Sequence, residues 1–594
     1  MSTTLQKKIP LWFLTCGGVG SGKSTLISRI FSDSKLPPPD QLTVPGRRSG
    51  IDVEYRLFDT SKRKFAVVVT PDDKHHIRDM AIGALNSELV VILVDGHRGM
   101  ETQTRRDAYI ASLLGIRNVV LAVNKMDLID YSQDIFEKNC RAFFEFTTKL
   151  NFKQVVPIPV SAGNGDNVVT RSESTTWYDG PSLLTCLEDI DTAAELESHP
   201  FRMPVQESGH SKLGTQRISG MIVGGQIAKG DPVTLAHSGR ISIVKQINTV
   251  ADEVSKAKVG QSISIILNEE IDISSGDVLV GPKARPQYAD QFAAHLLWID
   301  KDELLPHRQY RINIGTQTVP AHVSLLKHKV DSTSLEHLAA RTLQLNEIGY
   351  CNFSTVAPVA FDPYSENRDT GLFIVADDLT SKIVGIGMIE FGLRRATNVH
   401  WQALDVNANA RAELKSQKPC ILWFTGLPGS GKSTIANLVE KRLFAQGRHT
   451  YILDGDNVRH GLSQDLGFTD ADRVENIRRV AEAANLLVDA GLIVLVSFIS
   501  PFRSERRLAR DLAKDGAFTE IFVDTPIEVC ALRDPKGLYK RAKAGEIKNF
   551  TGIDSPYEPP ESPDIVLKTE NVSPEEMAEL VLKHLSEKGL VSNI

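Results

Sequence analysis

A glycine-rich loop ending in Gly-Lys-Ser, set between an apolar strand and a helix, is the most constraining feature of this sequence, and it occurs twice. The first copy is Gly17-Gly18-Val19-Gly20-Ser21-Gly22-Lys23-Ser24, behind an expected strand Leu11–Thr15. The second is Gly426-Leu427-Pro428-Gly429-Ser430-Gly431-Lys432-Ser433, behind an expected strand Ile421–Phe424. Helical patterns follow at Leu26–Phe31 and Ile435–Phe444. Glycines let the backbone turn its N–H groups onto phosphate oxygens, and the helix start adds the positive end of its dipole. The lysine neutralises phosphate charge and the serine hydroxyl is a Mg²⁺ ligand, which makes Ser433 and Ser24 the metal-ligand candidates. A lone glycine-rich turn has a bland reading. The full pattern in strand–loop–helix context instead calls for two nucleotide-binding α/β domains.

The chain has 594 residues, long enough for about four domains. Between the loops, roughly 200–405, the character changes to short alternating segments such as Ile241-Ser242-Ile243 and Ile263–Leu267. Turn signals such as Ser275-Gly276-Asp277 and Gly385-Ile386-Gly387 separate them. That spacing predicts two small β-barrels. The expected boundaries are a nucleotide domain over 1–197, barrels over 198–290 and 291–405, a linker over 406–417 and a second α/β domain over 418–594. A net charge of −6 excludes a globally basic, nucleic-acid-binding surface. The six cysteines are widely separated, without metal or redox spacing, which points to a reducing compartment. No segment resembles a signal peptide or a membrane span, so a cytoplasmic protein is expected.

The second loop is followed by a strand, Tyr451–Leu453, that delivers Asp454-Gly455-Asp456-Asn457-Val458-Arg459 to one strand end, where ligands bind in open α/β sheets. Gly467-Phe468, Asp472-Arg473-Val474-Glu475-Asn476 and a strand Ile493–Phe498 ending in Ile499-Ser500-Pro501-Phe502-Arg503 come next. A basic stretch, Arg533-Asp534-Pro535-Lys536-Gly537-Leu538-Tyr539-Lys540-Arg541, suits a lid over a polyanion. Bland readings exist for several of these. Asp454 and Asp456 suit a helix-capping turn, Phe468 and Phe550 suit core packing, and Arg478-Arg479 suits a structural ion pair. Taken together, from about Lys418 to the C-terminus, the residues closely resemble adenylylsulfate kinase. The resemblance implies that ATP donates its γ-phosphate to the 3′-hydroxyl of adenosine 5′-phosphosulfate. It also implies ATP binding by Gly426, Gly429, Ser430, Gly431, Lys432, Ser433, Thr434 and Arg533. Asp456 would accept or orient the 3′-hydroxyl proton, with Lys432 and Ser500 beside it. Arg459, Arg473 and Asn476 would hold the phosphosulfate, and Phe468 and Phe550 would sandwich the adenine. Ile499 and Ser500 would line that pocket, and Lys536 and Leu538 would belong to the lid. A homodimer through this domain is a further implication.

In the first 195 residues, Val119–Val123 leads into Asn124-Lys125-Met126-Asp127, and Val155–Val160 into Ser161-Ala162. The Asp carboxylate of such a motif accepts hydrogen bonds that guanine provides and adenine does not. Gly17, Gly20, Gly22, Lys23, Ser24, Thr25, Asn124, Lys125, Asp127, Ser161 and Ala162 are therefore the GTP-binding candidates. With the barrels, this part resembles the large, GTP-dependent subunit of sulfate adenylyltransferase, a relative of elongation factor Tu. The match runs through Leu113–Asp130, Val160–Leu184, Asp272–Val280 and Gly371–Ile389. The resemblance implies a separate small subunit as partner and as carrier of the adenylyl-transfer chemistry.

Two departures stand out. Where such GTPases carry Asp-x-x-Gly-His, this chain has Val69-Thr70-Pro71-Asp72-Asp73, and Gly50 takes the place of a switch threonine ahead of Ile51. Losing the metal-supporting and water-orienting groups typically costs about 10²–10⁵ in rate. The expectation is a static or nearly inactive nucleotide domain, with substitution of the metal contact by Asp59, Asp72 or Asp73 as its rival. Two other functional classes compete with a bifunctional sulfate-activating enzyme. One is a kinase fused to a non-catalytic regulatory module. The other is a translation factor, which the kinase fusion argues against.

Overall fold

The computed structural model describes residues 8–34, 40–45, 52–69, 76–190, 198–210, 216–238, 240–249, 252–393, 406–513, 516–547 and 550–591. Thr70 to Asp73, Gly50 and Ile51 lie outside them.

Uninterrupted apolar runs such as Leu89–Asp95 can bury both faces only as central parallel strands under helices, and both loop-bearing segments do so. In the front domain the sheet order is Asp40–Pro45, Asp52–Asp59, Arg63–Val69, Lys8–Gly17, Leu89–Asp95, Asn118–Asn124, Gln154–Pro159. The last five are mutually parallel and the first two antiparallel. The first glycine loop leaves the C-terminal end of Lys8–Gly17 and opens the helix Lys23–Asp33. Strand register decides one expectation here. Thr15, at the loop end, lies opposite Val69, whereas Asp59 lies opposite Lys64 at the other end of the same strand. Five residues of strand separate the two positions by about 16 Å. Asp59, ion-paired with Lys64 at 3.2 Å, therefore does not stand in for a metal contact at the loop.

The alternating middle region forms two antiparallel sheets of seven strands, each with an extra pairing that closes it into a barrel. The first closes by pairing Pro232–Leu235 with Ile241–Asn248, the second by pairing Tyr310–Ile314 with Gln317–Val330. The second barrel is the hub of the chain. Leu297, Ile299, Tyr364, Leu372 and Ile386 share one buried cluster with front-domain residues such as Ile110, Leu114 and Leu121. Tyr364 donates its hydroxyl hydrogen to the Leu114 carbonyl at 2.8 Å, and Arg368 donates to the carbonyls of Ala84, Leu85 and Ser87.

The C-terminal domain is an all-parallel five-stranded sheet in the order Thr450–Asp454, Ile493–Ser497, Cys420–Thr425, Phe518–Asp524, Ile565–Lys568. The segment expected as a linker holds the helix Ala408–Leu414, capped by Asn407, and is tied to this domain. Arg411 bonds Asp489, and the Gln417 amide donates to Gly491 and His449 carbonyls. All six cysteines are buried and unpaired. No helix among the described residues is long and apolar enough to cross a membrane.

Candidate active site

In an open parallel sheet the strand carboxyl ends form a crevice, and in the C-terminal domain this crevice is a cavity of about 650 Å³. The glycine loop forms one wall. Gly426, Gly429 and Gly431 have φ of 148°, 75° and 103°, a conformation that favours glycine, and a Cβ at Gly426 would also collide with the Val523 carbonyl. Lys432 folds back over the loop, donating to the carbonyls of Gly426 (2.9 Å) and Leu427 (2.8 Å). Ser433 donates its hydroxyl hydrogen to Asp454 at 2.8 Å and lies 3.0 Å from the Ser497 hydroxyl. Asp454 also accepts from the Asp456 N–H, so it caps the next helix and faces the loop at once. Asp456, at the helix start, is paired with Lys536 across the cavity.

The helix Asp470–Asp489 supplies the opposite wall. Arg473 donates to Thr551 (2.5 Å) and Ser555 (2.9 Å). Asn476 is almost fully buried, lines the cavity, and its side-chain oxygen has no hydrogen-bond partner among the described residues. A buried polar atom left unpaired is costly, and one facing a cavity is an acceptor awaiting a donor. Arg459 donates to the carbonyls of Leu466 and Gly467 while its guanidinium lies 4.6 Å from the Phe468 ring centre. Phe468 is 63% exposed, a poor core position and a serviceable stacking face. Ser500 sits at φ 40°, held by the indole N–H of Trp423 (3.1 Å) and by Arg506 on its carbonyl.

In the front domain the loop residues Gly17, Gly20 and Gly22 also have positive φ. Asn124 ties the base-side elements together, donating to the Ser21 carbonyl (2.7 Å) and accepting from the Ala162 N–H (2.9 Å). Ser161 donates to Asp127 at 2.6 Å, and Lys125 pairs with Asp95 at 2.8 Å. Lys23 bonds its own loop, at Gly17 and Gly18, and Ser24 and Thr25 are exposed. Two carboxylates that sequence reading passed over lie against this loop. Asp107, fully buried, accepts the Gly17 N–H at 2.9 Å, and a Cβ at Gly18 would collide with Glu101.

Comparison with known proteins places both glycine loops within known domain families. The family model for adenylylsulphate kinase matches residues 418–568, that for the elongation factor Tu GTP-binding domain residues 10–196, and that for the GTP-eEF1A C-terminal domain residues 291–390. A protein of Rhizobium sp. (strain N33) named Bifunctional enzyme NodQ is 51% identical, over 98% of this chain and 95% of its own length. Bifunctional enzyme CysN/CysC of Xylella fastidiosa is 48% identical, over 98% and 97%. That of Mycobacterium tuberculosis is 39% identical, over 96% and 98%. The chain belongs to the bifunctional NodQ and CysN/CysC enzyme family. It joins the GTPase subunit of sulfate adenylyltransferase to an adenylylsulfate kinase, in sulfate activation.

The C-terminal cavity lies within the adenylylsulphate kinase match, and it gathers most of the residues singled out from sequence. Gly429, Ser430, Gly431, Lys432, Ser433, Thr434, Asp456, Arg459, Phe468, Arg473, Asn476, Ile499, Ser500, Arg533, Lys536 and Leu538 all line it. Gly426 opens the loop just outside. Phe550 stands apart, buried with its ring 5.0 Å from that of Tyr539. Arg533 reaches the Thr569 carbonyl at 2.7 Å and the Ser430 carbonyl at 3.4 Å. Arg478 and Arg479 both pair with Glu475, and Arg479 also with Asp465, as a structural network. Asp454, read from sequence only as a strand-end or capping acid, faces the loop, and Ser497, Thr551 and Ser555 are additions from the structure. Only the fold brings the last two beside Arg473.

Burial pushes the Lys432 ammonium down to about 8, with Lys536 adding to the shift and Cys530 and Asp454 opposing it. Phosphate oxygens in the loop would restore its proton. ATP binding near pH 8 is therefore expected to take up about half a proton, and affinity to fall about tenfold per pH unit above that. Calorimetry in buffers of different ionisation heat measures this directly. Zero uptake at pH 8, or release, would contradict it.

Proposed function

We propose that the C-terminal domain transfers the γ-phosphate of ATP to the 3′-hydroxyl of adenosine 5′-phosphosulfate. The observation that carries this reading is the cavity in which the glycine loop faces Asp456 and the buried Asn476, whose side-chain oxygen has no partner among the described residues. Phosphoryl transfer needs alignment and charge neutralisation more than covalent chemistry. The loop amides and Lys432 hold the ATP phosphates, and Arg533 closes that side. Arg459 and Arg473 grip the phosphosulfate, since guanidinium forks suit such oxygens. Asn476 accepts from a substrate N–H or O–H group. Phe468 provides one stacking face for the adenine. Asp456 takes the 3′-hydroxyl proton as the oxygen attacks. Lys536 leaves Asp456 to meet the anionic substrate.

The donor set around Ser433, with Asp454 and Ser497 oxygens about 3 Å from its hydroxyl, is all oxygen and partly charged, which fits Mg²⁺. The ion would supply charge neutralisation between the ATP phosphates. Ser433 would ligate it directly, and Asp454 would orient Ser433 or a metal-bound water.

For the front domain the proposal is a retained guanine-nucleotide fold with little or no turnover. Val69 replaces the metal-supporting acid, and Asp107 and Glu101 add negative charge beside the loop that must receive a polyphosphate. A sulfate-adenylylating activity would then rest on a separate small subunit. The test is GTP turnover by the purified chain with that subunit, using kinase activity to certify folding. The expected result is no turnover above background beside a working kinase. Turnover abolished by Lys23→Ala would sink the static reading.

A further inference from the structure

The helix that carries Arg473 and Asn476 has a second face. Residues three and four apart share a helix face, so Arg473, Asn476 and Ile477 look into the cavity while Ala471, Val474 and Glu475 look away. What they meet is the second barrel. Leu305 is almost fully buried against Val474 and Phe502, with Ala471 at the margin. His307 lies 3.6 Å from Glu475, and the Arg308 guanidinium 5.9 Å from the Phe502 ring centre. Arg507 reaches Asp378 of the barrel at 3.4 Å. Phe502 follows directly on Ile499, Ser500 and Pro501, which line the cavity from another side. One barrel segment, 304–308, thus backs both the gripping helix and the Ser500 loop.

That segment is itself firmly held. Leu304 belongs to the barrel core and its N–H bonds the Leu343 carbonyl. The Leu305 N–H bonds the Tyr310 hydroxyl at 3.1 Å, and the His307 N–H the Val323 carbonyl at 2.8 Å. Among the described residues the ATP side has no such backing. The glycine loop packs on its own domain, through the Tyr539 hydroxyl on the Pro428 carbonyl and Thr525 on the Ser430 carbonyl.

We infer that Leu305 and its neighbours in segment 304–308 are positioning residues for the adenylylsulfate side of the kinase site, so that the second barrel sets the affinity for the nucleotide sulfate and not for ATP. The inference rests on the proposed role of Arg473 and Asn476. A site accurate to about half an ångström depends on such supporting contacts.

The test uses the full chain, with Leu305→Ala, Leu305→Met and Arg507→Ala. Arg507 is half exposed, so its variant keeps the question open to measurement even if Leu305→Ala folds poorly. Leu305→Ala is expected to raise KM for adenosine phosphosulfate roughly 3- to 30-fold, the usual range for residues coupling to a site without touching ligand. Its kcat and its KM for ATP are expected to stay within about twofold, a split that partial unfolding would not produce. Arg507→Ala should shift the same KM in the same direction, and Leu305→Met should restore it. An unchanged KM for adenosine phosphosulfate in both Leu305→Ala and Arg507→Ala would overturn the inference, as would a fall in kcat with both KM values unmoved. Arg473→Ala separates the two layers. If it raises that KM while both barrel variants leave it alone, the site assignment stands and the platform falls; if it too has no effect, both fall.

Discussion

Lys432→Ala is expected to lower phosphorylation of adenosine phosphosulfate by about 10³-fold or more, while Lys23→Ala leaves it within about twofold. Both lysines follow the same loop pattern, and both bond the carbonyls at the start of their loops. The asymmetry comes from what surrounds them. Around Lys432, the second loop opens into a cavity lined by Asp456, Arg459, Arg473 and Asn476. Around Lys23, Asp107 sits on the first loop amide and Glu101 crowds Gly18. Lys432 is buried and its charge is poorly solvated until phosphate arrives, so truncation removes a cation that water cannot replace. The measurement is coupled ATP turnover with each variant, alongside thermal melting to show that it is folded. Loss of kinase activity in a folded Lys23→Ala protein would mean that the front domain drives the kinase, contrary to the assignment made here.

Asp456→Asn is expected to cut kcat by about 10²–10⁴-fold with little change in KM for ATP, the range for losing a positioned general base. Asparagine keeps the shape and can still accept from Lys536, so the ion-pair geometry survives approximately while proton acceptance is lost. If Asp456 serves only to park Lys536 or to begin the helix Gly455–Arg459, the same substitution would leave kcat within about threefold and act mainly on KM for the sulfonucleotide. The helix cap itself is supplied by Asp454, whose carboxylate accepts the Asp456 N–H, so Asp456→Asn leaves it in place. Single-turnover kinetics decide between the two outcomes. A kcat near that of the parent chain would remove Asp456 from the chemistry.

The amino-acid sequence by itself was enough for the two glycine loops, their strands and helices, the barrel region and the polar residues at the strand ends. These are local patterns. A glycine φ requirement, an alternation of period two, or an acid placed directly after an apolar strand reports its own structure whatever the rest of the chain does. Most of the residues proposed for the kinase site therefore line one cavity, because parallel strands must present their carboxyl ends together. Tertiary structure alone decided the rest. Asp59 stands ten residues before Val69 in sequence, yet the hairpin pairs it with Lys64, at the end of the sheet away from the loop, while Val69 runs up beside Thr15. Asp107 reaches the first loop, and Thr551 and Ser555 reach Arg473, over separations that no spacing rule encodes. Phe550, which from sequence suits either a stacking face or core packing, is buried against Tyr539. The two-faced helix Asp470–Asp489 is the clearest case. Its periodicity marks Val474 as buried, yet only the docked barrel supplies Leu305 as the surface that buries it.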